Sequence, residues 1–141
     1  MGVRDLIIYQ KMYDAALYGL PILNRMPRSY RPTMVREIQA IIVRLLAGIV
    51  AANHDPVRRL DLLRTMDTDL EVLRALLLLS HDLKLLATKQ YGVLSGYLDE
   101  VGRLLGGWLS RSVSGPGGTR PRQSVAAAGT MPRTRESLRS T

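Results

Sequence analysis

Apolar residues recur at intervals of three and four along most of the first 111 residues, which is the spacing of one face of an α-helix. The pattern breaks at the proline-containing stretch NRMPRSYRPT, at NHDPVRR and at ATKQYG. Asp55 and Thr88 are residue types that cap helix N termini, and Pro56 suits a first helical position. The pattern predicts four helices, over about 4–25, 33–53, 56–87 and 88–111.

The predicted helices have apolar stripes that could meet in one core. The most regular stripe, on the fourth helix, consists of Tyr91, Leu94, Leu98, Val101, Leu105 and Trp108. The second helix offers Met34, Ile38, Ile41, Leu45 and Ile49, and the third offers Leu63, Met66, Leu70, Leu73 and Leu77. Pro21 is expected to kink the first helix rather than end it, because the apolar pattern continues beyond it. Long helices with short connections predict an all-α fold, an up-down-up-down antiparallel four-helix bundle.

The third predicted helix has more apolar surface than one core stripe requires. A second stripe lies beside the first and consists of Val72, Leu76, Leu79, Leu83 and Leu86. Monomeric proteins rarely leave a large contiguous apolar surface in water. We therefore predict that this second stripe, with Leu76 and Leu79 in it, contributes to a subunit interface.

Three glycines interrupt the fourth predicted helix, and each costs about 1 kcal/mol relative to alanine in a helix interior. Gly102 lies beside the core seam, where the missing side chain lets a neighbouring helix approach. Gly106 and Gly107 lie on the outward face, where core packing does not explain them. Two explanations stay open for these two glycines: the helix frays there, or another surface packs flat against it.

Composition adds a strong positive charge to this picture. The formal net charge is +8 and the pI is near 10.4, which favours anionic partners. Cysteine is absent from the sequence, which excludes disulfides and thiolate metal sites and fits a reducing cytoplasm. Charged residues interrupt both of the most apolar runs, and the first ten residues lack the order of a signal peptide. We expect a soluble cytoplasmic protein without a membrane segment.

The last 30 residues differ from the rest of the chain. From Ser112 onward the sequence is rich in Gly, Pro, Ser and Thr, shows no apolar period, and holds five arginines against one acid. Such a composition is typical of disorder. The predicted organisation is a four-helix bundle over 1–111 and a disordered basic tail over 112–141. A solubilising extension and a weak nucleic-acid tether are both open roles for the tail.

Enzyme chemistry has little support in the sequence. His54 and His81 are its only histidines, and they lie too far apart for a local metal motif. Three acids, Asp67, Asp69 and Glu71, occur close to arginines on the third helix, where surface ion pairing is the simpler account. The SGPGG segment lacks the lysine of a phosphate-binding loop. We predict no catalytic residue, no metal site and no cofactor.

Several motifs carry a resemblance to a known family. The stretches DLKLL, KQY and DEVGRLLGGWLSR, in this order, resemble the C-terminal half of the accessory variability determinant (Avd) proteins of diversity-generating retroelements. MPRSYRPT is similar to the loop before the second helix of these proteins. The resemblance covers about residues 4–111 and excludes the tail. A wider four-helix-bundle family includes these proteins and those encoded in 23S ribosomal RNA intervening sequences.

The resemblance implies a noncatalytic accessory protein that assembles into a homopentameric barrel with a positively charged channel. Its implied partners are the reverse transcriptase of the retroelement and its template RNA, with cDNA or a hybrid as further candidates. The complex would support mutagenic retrohoming, in which a copied template diversifies a target gene. The resemblance implies that Gly102, Gly106 and Gly107 lie where helices or subunits approach closely, and Trp108 of the core stripe is a further packing candidate. The alternative is a general four-helix nucleic-acid-binding protein without a reverse transcriptase partner.

Phosphate binding needs exposed positive side chains on a shared surface. The candidates are Arg28, Arg31, Arg36, Arg44, Arg74, Lys84 and Lys89. Leu78 stands where many relatives have a basic residue, so one line of charge is expected to be weaker here. Arg103 is a weaker candidate because Asp99, four residues before it, can pair with it.

Aromatic residues do not favour a surface that stacks on bases. Tyr13, Tyr91 and Trp108 fall on stripes that are expected to be core. Binding is therefore expected to follow backbone charge and shape, with little sequence preference.

Overall fold

The structure is a computed structural model that describes residues 2–114, and this part of the chain contains four α-helices and no strand. The helices are α1 (Val3–Leu23), α2 (Arg36–His54), α3 (Arg59–Asp82) and α4 (Thr88–Val113). A 3₁₀ turn and a π turn lead into α2, at Arg28–Tyr30 and Arg31–Val35. The all-α class and the four helices are confirmed. The prediction of a disordered tail falls largely on residues 115–141, which lie outside the described residues.

Side-chain contacts show that consecutive helices run antiparallel. Between α2 and α3, Arg44 pairs with Asp69 and Gly48 lies against Met66, so positions earlier in α2 meet positions later in α3. Between α3 and α4, Arg74 pairs with Asp99, while His81 near the end of α3 stacks on Tyr91 near the start of α4. Two further contacts join α1 to α4, Gly19 to Leu94 and Tyr18 to Tyr97. Each helix therefore lies between two antiparallel neighbours.

The predicted core stripes of α2, α3 and α4 meet in one apolar core. All ten positions predicted for the second and third helices are buried, and the most exposed of them, at 9%, is Met34 in the π turn before α2. On α4 the stripe is buried from Leu94 to Trp108, whereas Tyr91 is only half-buried. The expectation that Tyr13 is a core residue is wrong, because its side chain is 44% exposed and stacks on Tyr9.

The helix ends differ from the prediction around the first connection. Pro21 lies inside α1 as expected, but α1 ends at Leu23 rather than at residue 25. The backbone hydrogen bonds that follow join residues three apart instead of four, since Arg25 N–H donates to the carbonyl of Ile22 at 3.0 Å. The second helix was predicted to begin at residue 33. Residues 33–35 instead belong to the π turn, and α2 begins at Arg36.

The third helix is shorter than predicted at both ends. Its first residue is Arg59 rather than Pro56, because the Asp55 carboxylate accepts the Arg58 N–H at 3.2 Å and caps a separate turn. At the start of α4, Thr88 is not the cap. The Ala87 carbonyl accepts the first helical bond, from Tyr91 N–H at 2.9 Å, and Gln90 Oε1 accepts the Ala87 N–H. The side chain three residues into the helix therefore does the capping.

A left-handed residue ends α3 five residues before the predicted end. Lys84 has φ 66°, its N–H donates to the carbonyl of His81, and the next N–H, of Leu85, donates to that of Ser80. These two bonds form a Schellman motif, whose left-handed position normally holds glycine. Lysine there pays the steric cost that a Cβ atom adds at positive φ.

Replacing Lys84 with glycine is expected to raise the free energy of unfolding by about 0.5–1 kcal/mol, because glycine adopts this conformation without a Cβ clash. Urea unfolding followed by circular dichroism measures the change. Lys84→Ala is the matched control, since it removes the same charge but keeps Cβ. Equal stability of the two variants would contradict the strain that we assign to Lys84.

The second apolar stripe of α3 divides in the structure. Leu86 is 2% exposed and belongs to the core of its own chain. Val72, Leu79 and Leu83 are 41–45% exposed, and Leu76 is half-buried. None of the helices in residues 2–114 is both long and apolar enough to cross a membrane. The exposed part of the stripe is surface that residues 2–114 leave uncovered.

Candidate nucleic-acid interface

The two connections that were predicted to hold basic residues lie at the same end of the bundle. In an antiparallel bundle, the α1–α2 and α3–α4 connections follow helices that run in the same direction. Core packing agrees, since Leu86 of the second connection lines the same small apolar cavity as Leu23 at the end of α1 and Ile38 near the start of α2. Residues 24–36 and 83–89 therefore contribute to one surface.

Six basic residues define this surface, which we call the cationic end. They are Arg25, Arg28, Arg31, Arg36, Lys84 and Lys89, and all six are exposed. Five of them are sequence-predicted candidates. Arg25 was missed, although it lies in the same proline-containing stretch as Arg28, because it was assigned to the apolar first helix. The structure thus gathers residues from two connections that are about 50 positions apart in the sequence.

The cations of this end are not neutralised by partners within residues 2–114. None of the six forms a salt bridge with a described residue. Only Arg31 makes a side-chain hydrogen bond, from Nη2 to the carbonyl oxygen of Asn24 at 3.2 Å. Two acids lie near the cluster, Glu37 and Asp82, so the surface keeps a net positive charge. Unpaired exposed cations are the groups that exchange counterions for phosphates.

Arg44 is held elsewhere, between α2 and α3. Its Nε and Nη2 atoms donate to the two carboxylate oxygens of Asp69 at 3.3 and 3.2 Å, a two-pronged pair. Its hydrogen bonds to the Asp69 carboxylate raise the pKa of Arg44 above its ordinary value. This geometry gives Arg44 a role in joining two helices and separates it from the cationic end.

Arg74 likewise joins α3 to α4. Nη1 donates to Asp99 at 2.6 Å, and Nη2 donates to the carbonyl oxygen of Leu98 at 3.1 Å. Gly102 makes room for this guanidinium, because a Cβ atom there would lie 2.7 Å from Arg74 Nη2. The close neighbour that Gly102 admits is therefore a side chain of α3.

The expected pairing of Arg103 with Asp99 is wrong, because Arg74 occupies that carboxylate. Arg103 instead donates to Glu100 at 3.1 Å, one helical turn before it. This hydrogen bond lowers the pKa of Glu100 below its ordinary value. Arg74, which is a predicted phosphate-binding candidate, and Arg103, which is a weaker one, thus both have acidic partners.

The remaining packing candidates have different surroundings. α4 runs through all three glycines to Val113, so the helix does not end at Gly106 and Gly107. A Cβ atom at Gly106 would find no atom within 4 Å, and Gly107 is half-buried. Trp108 is buried in the core of its own chain. Of the packing set, Gly106 and Leu79 are exposed, and Leu76 beside Leu79 is half-buried, so part of its side chain is also accessible to another molecule.

The two histidines lie in different parts of the bundle. His81 stacks on Tyr91 with ring centroids 4.9 Å apart, and its Nε2 lies 3.1 Å from Thr88 Oγ1. His54 is exposed at the end of α2. The predicted pairing of the acidic cluster on α3 is observed in part: Glu71 lies 3.8 Å from Arg74, Asp69 pairs with Arg44 of α2, and Asp67 forms no ion pair with a described residue.

The cationic end can bind a phosphate backbone but offers little for reading bases. Its groups are long, exposed side chains at irregular spacing on loops and helix ends, which suits contact with phosphates in several arrangements. Tyr30, the aromatic residue of the first connection, is half-buried against the core. A surface of this kind gives binding that weakens steeply with salt and depends little on sequence.

Comparison with protein families supports the resemblance seen in the sequence. The model of one family, bAvd-like, matches residues 6–112, which includes all four helices almost completely. No curated protein sequence matches the chain. The matched range contains the whole cationic end and both interhelical arginine pairs. Because the match extends over most of the 141 residues, the chain belongs to the bAvd-like family.

Proposed function

We propose that this protein is a noncatalytic accessory subunit of a diversity-generating retroelement. It binds the reverse transcriptase together with its template RNA, or the cDNA or hybrid made from it, and supports mutagenic retrohoming. Membership of the bAvd-like family supports the accessory role. The observation that carries the nucleic-acid part is the cationic end, where six exposed basic residues lack acidic partners within residues 2–114.

The proposal includes a homopentamer that works in the cytoplasm. Five copies would place five cationic ends in one assembly. Several weak phosphate contacts on linked subunits bind one long polyanion much more tightly than a single subunit does. Assembly would thus allow a surface that recognises only charge to bind RNA with high affinity.

The experiment that tests the accessory role is co-purification with the reverse transcriptase encoded beside this gene. The tagged full chain is expected to recover the enzyme, and light scattering is expected to give the mass of a complex containing five accessory chains. The experiment is repeated after nuclease treatment. Recovery that survives nuclease establishes a protein contact, whereas recovery lost with nuclease establishes a contact through RNA.

A chain that fails to recover the enzyme, while it remains helical and oligomeric, would overturn the accessory role. Salt-dependent RNA binding by that same chain would then favour the alternative, a general nucleic-acid-binding four-helix protein. A variant that lacks three cations of the cationic end provides the control for charge, because it is expected to lose RNA but to keep any nuclease-resistant contact with the enzyme.

A further inference from the structure

The outward face of α1 is apolar, although this face packs against nothing in the described chain. Four side chains form the α1 stripe, and their exposed fractions run from 44% to 76%: Val3, Leu6, Tyr13 and Leu17. They are separated by three, seven and four residues, which keeps them on one side of the helix. The opposite side holds the core residues Ile8 and Met12. α1 is thus apolar on two faces, of which its own bundle covers one.

Gln10 fills the gap in the α1 stripe between Leu6 and Tyr13. Its Nε2 atom donates to Asp14 Oδ1 at 2.9 Å, so the amide is partnered within α1. With Gln10 the positions follow intervals of three and four without a break, which is the seam of a helix that packs against another helix.

A second seam lies on α3. Val72, Leu76, Leu79 and Leu83 follow intervals of four, three and four, and we call them the α3 stripe. The stripe lies on the same flank of α3 as Asp69, which faces α2, whereas Arg74 faces α4. The α1 and α3 stripes therefore occupy different sides of the bundle and consist of different residues.

We propose that the α1 stripe of one copy packs against the α3 stripe of the next copy. This inference rests on the assembly included in the proposed function and specifies its interface. Pairing of α1 with α1 in a two-fold dimer would leave the α3 stripe in water. Pairing of unlike stripes covers both on every subunit, and such a head-to-tail contact builds a closed ring when its rotation closes.

The sizes of the two stripes fit one interface. At 1.5 Å per residue, the α1 stripe is about 21 Å long and the α3 stripe about 17 Å. From the exposed fractions, the two stripes together present about 700 Å² of side-chain surface, which is close to the apolar share of a small standard interface. Neither stripe includes one of the six basic residues of the cationic end, and Leu83 of the α3 stripe is the residue that borders it, next to Lys84.

The test uses two full-length variants, each with one stripe made charged. The first is Leu6→Glu with Leu17→Glu, and the second is Leu79→Glu with Leu83→Glu. Light scattering is expected to show an oligomer for the unchanged chain and a monomer for each variant. An equimolar mixture is expected to give a heterodimer with twice the monomer mass, because the first variant keeps its α3 stripe and the second keeps its α1 stripe.

Leu78→Glu and Val57→Glu are the matched controls. Leu78 is 46% exposed on α3 but outside the stripe, and Val57 is 93% exposed in the turn before α3. Both controls are expected to keep the oligomer mass. Circular dichroism checks that all variants retain their helices, because loss of fold would also lower the mass. The substituted side chains are exposed in the single chain, so the helices are expected to persist.

Three results would overturn the inference. They are a stripe variant that keeps the full oligomer mass, an α3-stripe variant that dimerises by itself, and a mixture of the two variants that stays monomeric. All these masses are measured without enzyme or RNA. A result that contradicts the interface therefore does not contradict the accessory role. In the same way, failure to recover the reverse transcriptase does not contradict the interface.

Discussion

Replacing Arg28, Arg36 and Lys89 with alanine is expected to weaken RNA binding by about 10- to 100-fold at physiological salt. The three side chains come from both connections of the cationic end, are exposed, and make no side-chain hydrogen bond within residues 2–114. Each lost phosphate contact removes a released counterion from the binding equilibrium. Fluorescence anisotropy with a labelled single-stranded RNA, measured at several salt concentrations, should show a slope of log affinity against log salt that is shallower by about 2.

The matched control is the triple variant Arg4→Ala, Arg58→Ala and Arg64→Ala. It lowers the net charge by the same amount, and its three arginines are exposed but lie outside the cationic end. We expect its affinity and its salt slope to stay close to those of the unchanged chain. Equal losses in the two triple variants would show that RNA responds to the overall charge of the protein and would contradict a local site.

Replacing Trp108 with alanine is expected to lower the free energy of unfolding by about 3–5 kcal/mol. The indole is 5% exposed in the core of the chain, and its removal leaves a cavity that neighbouring helices fill only partly. A small domain has a total stability of about 5–15 kcal/mol, so this is a large share. Urea unfolding followed by circular dichroism measures the loss without relying on the indole itself.

Leu79→Ala is the control that separates the core from the surface. Leu79 is 45% exposed, so truncation is expected to change the stability of the single chain by less than about 0.5 kcal/mol. The comparison is made at a concentration where the chain is monomeric. A loss of stability for Trp108→Ala as small as that for Leu79→Ala would contradict the core role that we assign to the indole.

The end of α3 illustrates the limit of reading helices from apolar spacing. Leu83 and Leu86 continue the period of the helix, which favoured an unbroken helix to residue 87. The chain instead turns at Lys84, a residue type that gives no sign of a left-handed conformation. The turn forms because it brings Leu86 into the core, where burial of its side chain offsets the strained backbone.

Charge was harder to interpret than apolar spacing. Helical spacing could not separate the free basic candidates from the paired ones, because an arginine on a helix has the same pattern whether it faces solvent or an acid on another helix. Asp69 and Asp99 lie 25 positions from Arg44 and Arg74, so neither pair could be found by helical spacing. For Arg103, helical spacing suggested a wrong partner, because Asp99 is paired with Arg74 of another helix and Arg103 bonds to Glu100 instead.

Apolar periodicity by itself determined the class of this fold, the number of its helices and the core positions of α2, α3 and most of α4, because burying one face of each helix leaves few alternatives. Motifs indicated the family. Only the tertiary structure decided which cations stay free, why Gly102 is needed, and which apolar stripes remain uncovered. These properties depend on contacts between residues far apart in the chain, and the helical period of one segment carries no information about its neighbours.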